Sequence, residues 1–233
     1  MIRLRSALLF DARLQARHGF YAAYAIVSLL YVAMLRALPE AWRELAHLLA
    51  TFSDPAALGF YFIGGLVLLE KQQRLFDPLF ATPYAAAEYV LSKTATLTGL
   101  SAAAIVAVRL GAFGFEGRWA LFLYGSVATA AFFTLLGLGI AVGCRTLNGY
   151  FVASTLYTSV FALPLVEPLG LASWPALSAL PTHASLLALE SAFGPEPSVR
   201  SAIYVVVWLA GWTIAAYAWA LRRLTREREA GAE

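Results

Sequence analysis

Six long apolar runs, at about residues 20–37, 50–69, 94–115, 119–143, 150–166 and 201–221, constrain this chain more than any other feature. A helix of roughly 20 mostly apolar residues crosses about 30 Å of hydrocarbon, and inside lipid every backbone polar group must find its partner within the protein. The runs predict an all-α integral membrane fold with six transmembrane helices, and what they leave over is too little for a large soluble domain. Composition agrees: 61% of the 233 residues are hydrophobic and 13% are charged, against about 45–50% and about 25% in soluble domains. One domain over residues 1–233 is the expected organisation.

The second run is the shortest, since PAALGFYFIGGLVLL from Pro55 to Leu69 holds 15 residues and must borrow from its flanks. Charge tests the topology independently. With the N-terminus inside, Arg3, Arg5, Arg13, Arg17, Lys71, Arg74, Lys93, Arg145, Arg222, Arg223, Arg226 and Arg228 are cytoplasmic, and Arg36, Arg43, Arg109, Arg118 and Arg200 are external. That split of 12 to 5 accounts for all 17 basic residues and follows the positive-inside rule for an even number of crossings. Both termini are therefore expected in the cytoplasm. The net charge of +3 is dispersed over membrane flanks, which fits contact with membrane lipids and no nucleic acid. No removable signal peptide is expected, and Cys144, the single cysteine, is expected to be a packing residue.

Between the runs, MIRLRSALLFDARLQAR places Arg3, Ser6, Arg13 and Arg17 opposite Leu8, Leu9, Ala12 and Ala16 at helical spacing, which predicts an interfacial helix over residues 1–19. Gly139 and Gly143, four apart, predict close helix packing. Residues 167–200 carry Pro168, Pro175, Pro181, Pro195 and Pro197 around an apolar stretch, and irregular backbone at membrane depth needs protein cover; a re-entrant outer segment is expected. Arg109 lies near the outer end of the third run and is expected to snorkel outward.

Several chemistries lack their residues. A phosphate-binding loop needs a glycine-rich turn followed by lysine, yet Lys71 and Lys93, the only lysines, follow no such turn. His18, His47 and His183 are too dispersed for a zinc helix, so no metal site is expected. Ser126 and His183 are the best available pair for an intramembrane hydrolase, and an ATP-independent channel is a further alternative.

Between the second and third runs stands EKQQRLFDPLFATPYAAAEYVLSK, residues 70 to 93. Asp77 before Pro78 and Thr82 before Pro83 each read as an N-cap residue with proline at the first helical position. They predict a short helix in a coupling segment over residues 70–83. Glu70, Lys71, Gln72, Gln73 and Arg74 are expected to face the cytosol, while Leu75, Phe76, Leu79 and Phe80 wedge into a neighbour or the bilayer boundary.

This segment resembles the signature of ABC-2 type (type V) transporter permeases, roughly E-R-E-x-G-T-L-E-x-L-L-A-T-P followed by Glu and Gly-Lys. Glu70, Lys71, Asp77, Leu79, Ala81, Thr82, Pro83, Glu88 and Lys93 match it identically or conservatively; Gln72, Arg74 and Ser92 depart, with Arg74 standing where the pattern has glycine. The lack of a large outer domain is similar to antibiotic or fluoroquinolone export permeases. The resemblance implies the membrane half of a drug exporter in a prokaryotic cytoplasmic membrane, with lipid or natural-product export as the alternative cargo. It implies a partner ABC ATPase that holds ATP and magnesium and docks on Glu70, Lys71, Gln72, Gln73, Arg74, Leu75, Phe76, Asp77 and Phe80, and a second permease chain, identical or related. It places the cargo path between the second and fifth spans, where Phe60, Tyr61, Phe62, Tyr157 and Phe161 offer aromatic faces, with the hydroxyl of Ser159 among them, to a flat, amphipathic molecule.

Overall fold

The computed structural model describes residues 2–54, 59–81, 84–194 and 196–230, which form helices and turns with no strand among them. In order these are α1 (Ile2–Arg17), α2 (Phe20–Ala37), α3 (Glu40–Asp54), α4 (Phe60–Gln72), α5 (Phe76–Ala81), α6 (Ala86–Phe113), α7 (Ala120–Val142), α8 (Leu147–Phe161), α9 (Pro181–Glu190) and α10 (Val199–Ala230). Of these, α2, α6, α7 and α10 are long and apolar enough to cross a membrane unaided. The run at 50–69 is divided between the end of α3 and the 13-residue α4. At about 1.5 Å per residue, α4 falls short of the hydrocarbon thickness. The run at 150–166 is the 15-residue α8 continued by a 3-10 turn at Leu163–Val166.

Helix α7 is the axis of the bundle. Of its most apolar window 83% is buried, against 17% for α2 and for α10, so α7 meets protein on nearly every face while α2 and α10 turn broad faces outward. Missing side chains let the neighbours in: a Cβ on Gly125 would stand 2.2 Å from Ala188 of α9, and one on Gly139 2.2 Å from the Trp219 ring of α10. Gly143 faces Arg223 of α10, so the glycine pair read from the sequence does serve a close helix contact. Across the core, Tyr150 of α8 lies against Gly64 of α4 and donates to the Phe60 carbonyl at 2.5 Å.

The apolar stretch within residues 167–200 folds as α9, whose Thr182, Ser185, Leu186 and Leu189 are buried. Its hydroxyls are matched from within the protein, as Ser185 and Thr129 of α7 approach to 2.7 Å.

Arg109 departs from expectation. It is fully buried, with its guanidinium 4.6, 4.3 and 4.8 Å from the rings of Trp119, Phe122 and Phe193, and it donates to the carbonyls of Glu116 and Arg118 at 3.0 and 3.3 Å. Three aromatic faces and two turn carbonyls replace the water that a snorkelling arginine would seek. Arg118 in turn donates to the Ser191 carbonyl at 3.0 Å and to that of Gly194, fastening the α6–α7 turn to the end of α9. His47 of α3 is buried beside this cluster, between Phe113, Phe122 and Phe193.

Candidate functional site

At the opposite end of the bundle, α4 stops at a sharp elbow. The Leu75 N–H bonds back to the Glu70 carbonyl at 2.9 Å and the Arg74 N–H to that of Lys71 at 3.1 Å, the paired bonds that close a helix through one left-handed residue. That residue is Arg74, with φ of 52°, where glycine is the unstrained choice. The position at which the chain lacks the glycine of the permease signature is thus the one whose backbone would use it.

The last turn of α4 is held from two sides. Lys71 donates to the Val142 carbonyl at 2.7 Å, to that of Cys144 at 3.4 Å, and to Glu227 of α10 at 2.5 Å, so all three ammonium donors are used and α4, α7 and α10 are joined. Glu70 turns the other way. It is buried, accepts from Lys93 of α6 at 2.6 Å on one oxygen and from Tyr89 at 2.5 Å on the other. Lys93 also reaches Asp11 of α1 at 3.0 Å, and the second Asp11 oxygen accepts from Ser92. Each carboxylate oxygen therefore has a donor, as burial of charge requires. Gln15 of α1 adds a bond to Thr96 of α6 at 2.7 Å.

This ion cluster forms the floor of a groove of about 660 Å³ between α1, α5 and the start of α6, walled by Phe10, Leu75, Leu79 and Tyr84. Burial pushes the Tyr84 phenol up, and the charges of Asp11, Glu88 and Glu70 push it further. Arg3 also lines the groove, so charges of both signs lie beneath its apolar walls.

Glu70 does not face solvent, because the buried ammonium of Lys93 holds it. Lys71 is mostly covered, because the open carbonyls at the end of α7 draw it in. Gln72, Gln73 and Arg74 are exposed as expected; Leu75, expected to wedge, is exposed at the edge of the groove, and Phe76 packs edge-on against Tyr89 at 5.8 Å. Asp77 lies within the first turn of α5 and is not its cap, since that helix starts at Phe76; Pro78 is tolerated there because the first turn lacks the bond that proline would break. Nothing is described of the side chains of Asp77 and Phe80, and Thr82 and Pro83 lie outside the described residues. On α1 the buried stripe is polar, Asp11 and Gln15, while Leu9 and Phe10 are 51% and 59% exposed. Asp11, Tyr89 and Lys93 complete the cluster although the sequence reading gave them no role in it. A signal existed, in that Asp11 is the lone acid in a basic segment.

Comparison with known proteins identifies the class. Residues 2–227 match the fluoroquinolones export permease protein family. The chain belongs to that family. It is 30% identical over 224 residues to fluoroquinolones export permease proteins from two strains of Mycobacterium tuberculosis, covering 94% of this chain and 94% of each relative. The permease is accordingly a membrane protein and a transporter subunit by family.

The six residues expected along a cargo path do not share one wall among the described residues. Phe60 is fully buried against Phe133 and Tyr150, Tyr61 faces Phe151, and Phe62 stacks on Phe20 of α2 at 4.3 Å. Tyr157 and Ser159 are exposed on α8, and Phe161 packs edge-on against Phe132 and Trp212. The hydrolase pair is not assembled either: Ser126 is buried with no hydrogen-bond partner among the described residues, whereas His183 meets Glu167 at 3.3 Å and Tyr204 at 3.2 Å.

Two stability predictions follow from this geometry. Lys93→Met leaves two carboxylates buried without their cation and is expected to cost about 3–5 kcal/mol, partly recovered when Asp11→Asn and Glu70→Gln are added; unfolding of the detergent-solubilised chain measures both. Arg74→Gly relieves the left-handed residue and is expected to stabilise by about 1 kcal/mol, read as a raised thermal midpoint.

Proposed function

We propose that this chain is the membrane subunit of an ATP-driven exporter whose engine docks on the elbow between α4 and α6. The observation that carries the reading is the clamp on the last turn of α4. Glu70 fixes it to α6 and α1 and Lys71 fixes it to α7 and α10, so a push on the exposed turn at Gln73–Leu75 and on α5 reaches four helices of the bundle. In this reading α5 is the coupling helix on the cytoplasmic side. The six crossings are α2, the α3–α4 pair, α6, α7, α8 with its 3-10 extension, and α10, with the segment holding α9 re-entering from outside.

Both termini then lie in the cytoplasm of a prokaryotic cell and α1 lies along the inner face of its cytoplasmic membrane. The ATPase is a separate chain and supplies ATP and magnesium. ATP shifts the bundle only as far as the docked ATPase binds one arrangement better than another. A second permease chain, the same or related, pairs with this one against α8, of whose residues only Tyr150 and Ser154 are buried, leaving Phe151, Leu156, Tyr157 and Val160 available. The cargo is a hydrophobic or amphipathic small molecule of the antibiotic type; the relatives are named as fluoroquinolone exporters.

The combined Gln73→Ala and Leu75→Asp changes touch only exposed side chains. They are expected to leave membrane insertion and the thermal midpoint unchanged while reducing co-purification of the ATPase, sought among the products of neighbouring reading frames, by tenfold or more. Retention of the ATPase at the unmodified level contradicts the docking assignment.

A further inference from the structure

The two ends of the bundle use their arginines differently. At the end carrying Arg109, the side chains of Arg36, Arg43, Arg109 and Arg118 donate to backbone carbonyls and Arg200 alone is open among the described residues, whereas at the elbow end Arg223 is the one seen to donate to a carbonyl. At the elbow end Arg5, Arg13, Arg17, Arg74, Arg145, Arg222 and Arg226 are exposed and make no ion pair or side-chain hydrogen bond among the described residues. Their charge is left for a partner outside the chain.

On α1 these cations have a particular company. Arg5, Leu9, Arg13 and Arg17 recur every four residues along one exposed stripe, with Phe10 beside it. The only acid on this helix, Asp11, lies on the opposite stripe and is held by Lys93 and Ser92. A helix facing water gains nothing by exposing Leu9 and Phe10, and one immersed in hydrocarbon does not keep three open arginines. Only the interface, where phosphates lie directly above acyl chains, satisfies both.

We propose that this stripe of α1 binds an anionic phospholipid, its phosphate on Arg5, Arg13 and Arg17 and the upper part of its acyl chains on Leu9 and Phe10. The three cations are uncompensated within the helix, so a headgroup with net negative charge is preferred over a zwitterionic one, each basic residue near such a surface contributing about a fivefold gain. Lipid held on this side sets the tilt of α1, and the opposite side of the same helix carries Asp11 and Gln15 into α6. The assignment stands on the chain alone and needs no ATPase.

The test places the full-length chain in phosphatidylcholine vesicles containing a photoreactive phosphatidylglycerol or a photoreactive phosphatidylcholine and maps the labelled peptides. The phosphatidylglycerol probe is expected to label residues 2–17 several-fold more than the phosphatidylcholine probe. Arg5→Gln, Arg13→Gln and Arg17→Gln together are expected to remove the difference. Arg145→Gln, Arg222→Gln and Arg226→Gln, which take the same charge from the same end, are expected to leave it. Independently of any variant, salt at about 1 M, where the Debye length is about 3 Å, brings the two probes level, whereas free inorganic phosphate at constant ionic strength does not compete. Equal labelling by both probes at low salt, equal loss in both triple variants, displacement by inorganic phosphate, or protection of the stripe by a bound protein in place of lipid overturns the assignment.

Discussion

A fully covered ammonium near the end of a membrane helix must be met by carboxylates, and Lys93 draws in two, from helices far apart in sequence. The desolvation cost of three buried charges is offset only when every donor and acceptor is placed, and this requirement orients the elements around it. It turns α1 so that its polar stripe faces inward and its leucine and phenylalanine face out. It fixes the last turn of α4 against α6 and leaves the following residues to reverse direction within one left-handed turn.

The rest of the bundle is arranged around α7, whose glycines admit α9 and α10 to near backbone contact. Lys71 extends that core to the elbow by closing the open carbonyls at the end of α7. Adjacent residues in the sequence, Glu70 and Lys71, thus join the peripheral α1–α6 pair to the central α7–α10 pair. At the far end Arg109 and Arg118 play the corresponding part with backbone carbonyls and aromatic rings in place of carboxylates.

Length and hydropathy were enough to read α2, α6, α7 and α10, because an uninterrupted apolar run of that size has few other fates. They did not delimit the helices within the runs at 50–69 and 150–166, which are only 13 and 15 residues long and continue into neighbouring structure. What periodicity did not show on α1 is its third side, the buried polar stripe of Asp11 and Gln15, because the lysine that holds Asp11 is 82 residues away. Glu70 and Arg109 were misplaced because a charge is assigned to solvent unless its partner is known: Lys93 lies 23 residues beyond Glu70, and Arg109 is met by backbone carbonyls 7 and 9 residues on and by aromatic rings, none of which is a charge that hydropathy would pair with it. Arg74 was legible as a missing glycine, although the sequence alone could not tell that its backbone keeps the glycine conformation.

The central claim is that Lys93 fixes α1 relative to the elbow, and the distance between spin labels on Ala16 and Gln73, both exposed, measures it directly once Cys144 is replaced by serine. A single narrow distance distribution is predicted for the otherwise unaltered chain, and a broad or multiple one after Lys93→Met. An equally narrow distribution at the same distance in both would contradict the account.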